Sequence, residues 1–298
     1  MAFLFAASFH QAAPRRATAP RSLGVVETRT LLADVRLDHT KERAMKIKQI
    51  IDLSIPLENC NYTGFQPDIK YMDHQEGARF LGKALGLAQE DFPQGMALAW
   101  EEYHGITHMA THLDAPWHFG PTSEGKPSKT IDQVDLRWCI SDGVRIDVRH
   151  FGKGYLLRVD DVKEALAKID YKIKPLDIVL FWTDCDKLMH DPRYPEANPG
   201  ISAEVTLWLG EQGVKIIGTD AYGYDMGFQE MAKRYKEGDK NALWPGHFAG
   251  RQKEYFHIEA MGNLDKIPVD HGFTVSVLPI KLAKASAAWT RAVAIIWE

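Results

Sequence analysis

At 298 residues, with 45% hydrophobic and 26% charged side chains, the chain has the composition of an ordinary soluble globular protein, long enough to bury one substantial core. A formal charge of −4 and a pI near 6.3 supply no basic field for a nucleic-acid backbone or an anionic membrane surface, so neither is expected as a partner. The 3 cysteines, Cys60, Cys139 and Cys185, are far apart and contain no Cys-x-x-Cys, which argues against a disulfide framework or a thiolate zinc knuckle and fits a reducing, cytoplasmic setting.

In chain order, residues 1–44 read as a flexible extension outside the core, because Met1 to Val26 carries Arg15, Arg16 and Arg21, no acidic residue and no periodic pattern. Its apolar start is too short to span a bilayer and lacks the basic residues that precede a secretory apolar region. A transit-like peptide is the alternative to an extension upstream of a natural start at Met45. From there to residue 298 the pattern is that of a single domain. Ile47 to Leu57 is strand-like and broken by Pro56, and Asn59 to Pro67 is a loop rich in turn residues and aromatics. Gly143 to Val148, Asp177 to Trp182, Val214 to Gly218, Thr274 to Pro279 and Ala292 to Trp297 are short, apolar, β-branched runs expected to be buried strands. Val159 to Leu166, acidic in its first turn, and Ser202 to Leu209, with a Ser cap and a Gly after it, are expected helices. Phe228 to Ala249 is polar and reads as an irregular insertion. This succession is α/β, and no apolar run approaches the length of a membrane span.

The chemistry concentrates in His108-Met-Ala-Thr-His112-Leu-Asp114-Ala-Pro-Trp-His118. Divalent zinc or manganese takes neutral imidazole nitrogens and carboxylate oxygens converging from one side. His108 and His112 share a face of a helical turn, His112 and Asp114 share a face of extended chain, and Pro116 disfavours helix just before it. A turn running into extended chain brings all three to one ion. Thr111 is placed to hydrogen-bond a ligand or cap the turn, and His118, not needed as a ligand, is free for proton transfer. One His-x-x-x-His pair arises easily by chance among 12 histidines; four groups at compatible spacings do not.

This stretch resembles the His-x-Gly-Thr-His-x-Asp-x-Pro-x-His signature of the metal-dependent cyclase family, which includes bacterial kynurenine formamidase and isatin hydrolase. Ala110 stands where the family has Gly. Ile51-Asp-Leu-Ser-Ile-Pro-Leu is similar to the family's opening strand, Asp177-Ile-Val-Leu-Phe-Trp-Thr-Asp to its central segment, and Gly218-Thr-Asp-Ala to a later turn. The resemblance implies a swivelling β/β/α domain with a mixed central sheet, a homodimer or homotetramer, and one or two divalent ions. It also implies a distal ligand pair, His247 and Glu259, with His257 competing with His247 for that role.

The activity so implied is hydrolysis of a C–N bond in a small (aryl)formamide, amide or cyclic amide by water activated on the metal, with a lactone or ester hydrolase, a cyclase, or a non-catalytic metal-binding scaffold as alternatives. His118 is the expected general acid/base. Glu259 is a second candidate, orienting the water. Trp117, Phe119 and Tyr62, and less directly Phe65 and Trp244, are candidates to wall a pocket for the small-molecule substrate. No Gly-x-Ser-x-Gly elbow, phosphate loop or dinucleotide fingerprint competes, and Cys185 between Asp184 and Asp186 reads as filler.

Overall fold

In the computed structural model, residues 46–60 and 67–298 are described; the expected extension over 1–44 and the aromatics Tyr62 and Phe65 lie outside them. The chain runs β1 (Ile47–Asp52), β2 (Asp68–Met72), α1 (His74–Leu85), β3 (Trp100–His104), β4 (His112–Asp114), α2 (Pro116–Phe119), β5 (Thr122–Ser123), β6 (Lys126–Pro127), β7 (Ile140–Asp147), β8 (Leu156–Leu157), α3 (Val159–Lys168), β9 (Ile178–Trp182), β10 (Gly200–Ile201) and α4 (Ala203–Glu211). It continues through β11 (Ile216–Thr219), α5 (Phe228–Lys236), α6 (Pro245–Ala249), β12 (Phe256–Glu259), β13 (His271–Ser276), β14 (Ala287–Trp289) and β15 (Val293–Trp297).

Nine strands form one mixed sheet in the order β1-β15-β13-β7-β9-β11-β12-β4-β14. The centre, β7-β9-β11-β12, is parallel, and the flanks are antiparallel. Of these, β9 is apolar at every position because both of its faces are covered. In β9, Ile178 and Leu180 enter one core with Phe256, Ile258 and Leu113, while Val179 and Phe181 enter the other, which α3 and α4 cover with Val162, Leu166, Val205 and Leu209. The two expected helices start where their caps require. The Ser202 hydroxyl accepts from Val205 N at 3.1 Å, and Asp161 in the first turn of α3 accepts from Arg158 N at 2.9 Å.

Two regions depart from the sequence reading. The stretch 68–104, to which no element was assigned, holds β2 and β3 paired antiparallel with α1 between them; α1 opens on an Asp73/Glu76 capping box and ends at Gly86 in a left-handed conformation. The expected irregular insertion at 228–249 contains two helices, α5 and α6, and α6 packs on α4.

The pairing that matters for function is β4 with β12. Although far apart in sequence, they lie antiparallel with His112 opposite Glu259, Leu113 opposite Ile258 and Asp114 opposite His257. Because side chains alternate across a strand, Leu113 and Ile258 point together into one core while His112, Asp114, His257 and Glu259 share the other face.

Candidate metal centre

The motif enters the site through a turn. Ala110 has φ of 53°, a left-handed conformation that costs a residue with a Cβ about 1–2 kcal/mol and gives a physical reason for the Gly that the resembling signature implies there. That turn aims Ala110 O at His112 Nδ1, 2.8 Å away, so the ring donates from Nδ1 and presents Nε2 to the site. Thr111 neither caps the turn nor bonds a ligand. Its hydroxyl donates to Ala260 O at 2.6 Å and accepts from Ile55 N at 2.8 Å, tying the motif to β12 and the opening strand.

The other rings are held by the same device, one nitrogen on a partner and the other facing inward. His108 Nε2 meets Ser286 Oγ at 2.9 Å and its Nδ1 lies 2.8 Å from Asp114 Oδ1. His247, on α6, is bonded through Nδ1 to Asp225 Oδ2 at 2.5 Å, and Asp225 also accepts from the backbone N–H groups of Gly246 and His247, which fixes the start of that short helix. His247 Nε2 then lies 3.8 Å from Asp114 Oδ2 and 3.6 Å from Glu259 Oε1. Glu259 Oε1 accepts from Tyr224 N at 2.8 Å, while its Oε2 is 3.6 Å from His112 Nε2. Asp225 and Tyr224 carry these orientations, and nothing in their spacing singled them out in the sequence.

Charge at the centre is concentrated and buried. Burial opposes ionisation of Asp114, yet His108 and His112 hold its carboxyl well below the usual carboxylate range. Burial likewise works against Glu259, and the close approach of His257, with His247 beside it, holds it down to about 2. Against its own burial, His257 is raised to about 9 by Asp114 and Glu259, and His112 is raised by Asp114. Two anions in a dry site therefore require positive charge, from protons on the rings or from a cation.

The donor set fits a divalent ion. His112 Nε2, His257 Nε2 and both Asp114 oxygens are buried without a hydrogen-bond partner, although they lie close to one another. Lone pairs that face each other across 3.2 Å and bond to neither side are what a cation between them would satisfy. Asp114, His247, His257 and Glu259 have ligand atoms all mutually within 4.8 Å.

His118, on α2, stands at the edge of this cluster. Its Nε2 is 3.7 Å from Asp114 Oδ2, its ring packs on His108 at 4.0 Å, and its side chain keeps 35% exposure. Burial lowers its pKa to about 4; Asp114 pulls the other way, and His108 and His247 add to the fall. The ring is therefore neutral at pH 7.

A cavity of about 360 Å³ opens beside these groups, lined by His108, His118, His247 and Glu259 on one side and by Tyr222, Phe228, Met231 and Trp244 on another. Pro195 and Asn198 also line it, so the segments 187–200 and 228–249 both contribute to its wall. Of the expected wall residues, Trp244 is in place. Phe119 is not in the lining: it is buried beneath the histidines, stacked on His257 and Tyr255 at 5.0 and 5.1 Å, because α2 turns it toward the core. Trp117, on the opposite side of that helical turn, is 48% exposed and also outside the lining, while Tyr62 falls outside the described residues. Cys185 is buried and its thiol pushed up to about 12, which leaves it unreactive filler.

Comparison with known proteins agrees with this arrangement. A kynurenine formamidase from Bacillus mycoides (strain KBAB4) is 24% identical over 258 residues, covering 84% of this chain and 98% of the relative. An isatin hydrolase bound to the product analogue thioisatinate superposes with a TM-score of 0.64 at 21% identity, covering 84% of this chain and 93% of the other. A potential metal-dependent hydrolase with cyclase activity gives 0.55 at 18% identity, covering 86% and 100%. These likenesses show the swivelling β/β/α fold with its mixed, curled sheet. The family model described as putative cyclase matches residues 51–226, from the opening strand through the motif to the turn that carries Asp225, and the chain therefore belongs to the putative cyclase family.

Proposed function

We propose that residues 45–298 form a metal-dependent hydrolase that cleaves the C–N bond of a small (aryl)formamide, amide or cyclic amide. One observation carries the reading: buried, partnerless ligand atoms of His112 and Asp114 converge with those of His108, His247 and Glu259 at the wall of an apolar cavity, and His118 stands at its edge. Kynurenine formamidase and isatin hydrolase among the relatives point to the same bond.

When bound, a divalent zinc or manganese ion acidifies water and polarises a carbonyl oxygen. His108, His112, Asp114, His247 and Glu259 would hold it. His118, neutral at pH 7, accepts a proton from the attacking water at Nε2 and returns it to the departing nitrogen, which would otherwise leave as an unstable anion. Tyr222, Phe228 and Trp244 orient the apolar part of the substrate, and a cavity of about 360 Å³ suits a small ring-containing molecule. Glu259, tied to Tyr224 N, orients rather than shuttles protons.

The test separates metal from chemistry. Elemental analysis of the purified chain should find one or two equivalents of zinc or manganese, and turnover on a panel of N-formyl arylamines, lactams and lactones should favour the first two classes. In His118→Ala the metal should stay and turnover fall about 10²–10⁴-fold. Unchanged turnover with metal retained would remove His118 from the mechanism; metal without turnover of any panel member would favour a binding scaffold.

We further propose a homodimer or homotetramer in a reducing, cytoplasmic compartment. Phe80, Leu85, Leu87, Met96 and Leu98 leave apolar surface exposed around α1, and all three cysteines are free. Among the described residues no helix is long and apolar enough to cross a membrane. Light scattering that returned the 33.7 kDa of one chain at micromolar concentration would sink the assembly.

A further inference from the structure

We propose that His257 is a fourth protein ligand to one of two ions, so that this chain holds one ion in a coordinatively filled, slowly exchanging position and the other in an open position facing His118 and the cavity. The inference rests on the metal-dependent reading above and adds to it a residue that the sequence motif does not include.

The register of β4 and β12 places His257 directly opposite Asp114, on the face that also carries His112 and Glu259. Its Nε2 lies 3.2 Å from Asp114 Oδ2 and 3.3 Å from Glu259 Oε1, with His247 Nε2 at 3.8 and 3.6 Å from the same two oxygens. A tetrahedral zinc site with arms of about 2.0–2.1 Å has edges of about 3.3–3.4 Å, so these four atoms already stand near the corners of such a site.

The competing explanation is a simple ion pair, with a protonated His257 between two carboxylates. In that case the Nε2–H should point at one oxygen, yet Nε2 and both Asp114 oxygens have no hydrogen-bond partner in spite of their proximity. The ring's other nitrogen fixes its tautomer. The Tyr255 hydroxyl donates to Gly246 O at 2.8 Å, so it accepts from His257 Nδ1–H at 3.1 Å, and the lone pair is left on Nε2. Phe119 and Tyr224 stack on the ring at 5.0 and 4.4 Å and prevent it from turning away. No solvent reaches it, since the side chain is fully buried.

At the other end, His108 Nδ1 and His112 Nε2 approach Asp114 Oδ1 at 2.8 and 3.2 Å, with the His118 ring packed on His108 at 4.0 Å; the cavity touches both ends, His108 here and His247 and Glu259 at the first, so the difference between them lies in the number of protein ligands. Structural zinc sites are closed by four protein ligands, whereas catalytic sites leave a place for water. By that distinction the His108/His112 end is the working one and the His247/His257 end is the anchor.

The experiment is a chelation time course on the whole purified chain, loaded with zinc, with bound metal counted by elemental analysis, for wild type, His257→Gln and His257→Phe. Wild type should lose one equivalent quickly and hold the second at least about 10-fold longer; in the variants the held equivalent should weaken about 10–100-fold. In wild type, cobalt substitution should give the intense visible band of four-coordinate Co²⁺ for the retained ion, a readout that stands even if neither variant folds. Both ions leaving together, or variants that keep the wild-type time course, or only the weak band of six-coordinate cobalt, overturns the role of His257 and leaves the hydrolase reading in place. A wild-type chain that takes up no metal at all overturns both.

Discussion

Ala110 shows how a single residue can serve the site at the expense of local comfort. It holds φ of 53° so that its carbonyl can orient His112, and Ala260, immediately after Glu259, does the same at 52°. Both lie where a Gly would be unstrained, and at position 110 the resemblance to the family's signature already pointed to Gly. Substituting Ala110→Gly should remove the left-handed penalty and add back some freedom to the unfolded chain, a net gain of up to about 1 kcal/mol that thermal unfolding at fixed metal will show. A loss of stability would mean that the Ala110 methyl packs usefully, against the strain argument. The ligands His108, His112 and Asp114 were legible because they sit in one short window with recognisable spacing. Asp225, Tyr224 and Tyr255 were not, since their roles depend on where α6 and β12 arrive in space.

At the level of elements, the β4–β12 pair has two faces with separate duties. Leu113 is completely buried between Ile258 on one neighbour and Ala288 on the other, and it points away from the metal. Leu113→Ala should therefore cost about 2–5 kcal/mol of stability, read from denaturant midpoints, with the metal count per chain unchanged in the folded protein. Loss of metal at full stability would contradict this division of faces. All six expected strands and both expected helices were legible from apolar runs and caps. Extended chain at His112–Asp114 was expected, but its pairing with β12 was not, because His and Asp or His and Glu on one face replace the apolar alternation that announces strands. The repeated form, His112-x-Asp114 and His257-x-Glu259, was the available signal, and setting His257 and His247 as alternatives passed over a cluster that brings both together.

For the whole molecule, a divalent ion bound among these groups would be a fastener between distant parts of the chain. Removing it leaves Asp114 and Glu259 buried near each other with protons as their main compensation. At a free metal concentration 100 times the dissociation constant, one bound ion adds about 2.7 kcal/mol, equivalent to about 5–10 °C in Tm for a chain of this size. Scanning calorimetry with and without chelator checks this; an identical Tm would mean that the sheet closes without help.

The strand order sets a schedule for the cell as well. His108, His112 and Asp114 leave the ribosome long before His247, His257 and Glu259 exist, and at about 5–20 residues per second the interval between the two groups lasts several seconds to some tens of seconds. During it the nascent chain carries half a chelate, able to pick up a passing ion loosely and unable to choose among metals. Selection begins only when β12 slots between β11 and β4. Any choice among metals by the complete ligand set therefore falls after both groups have been made.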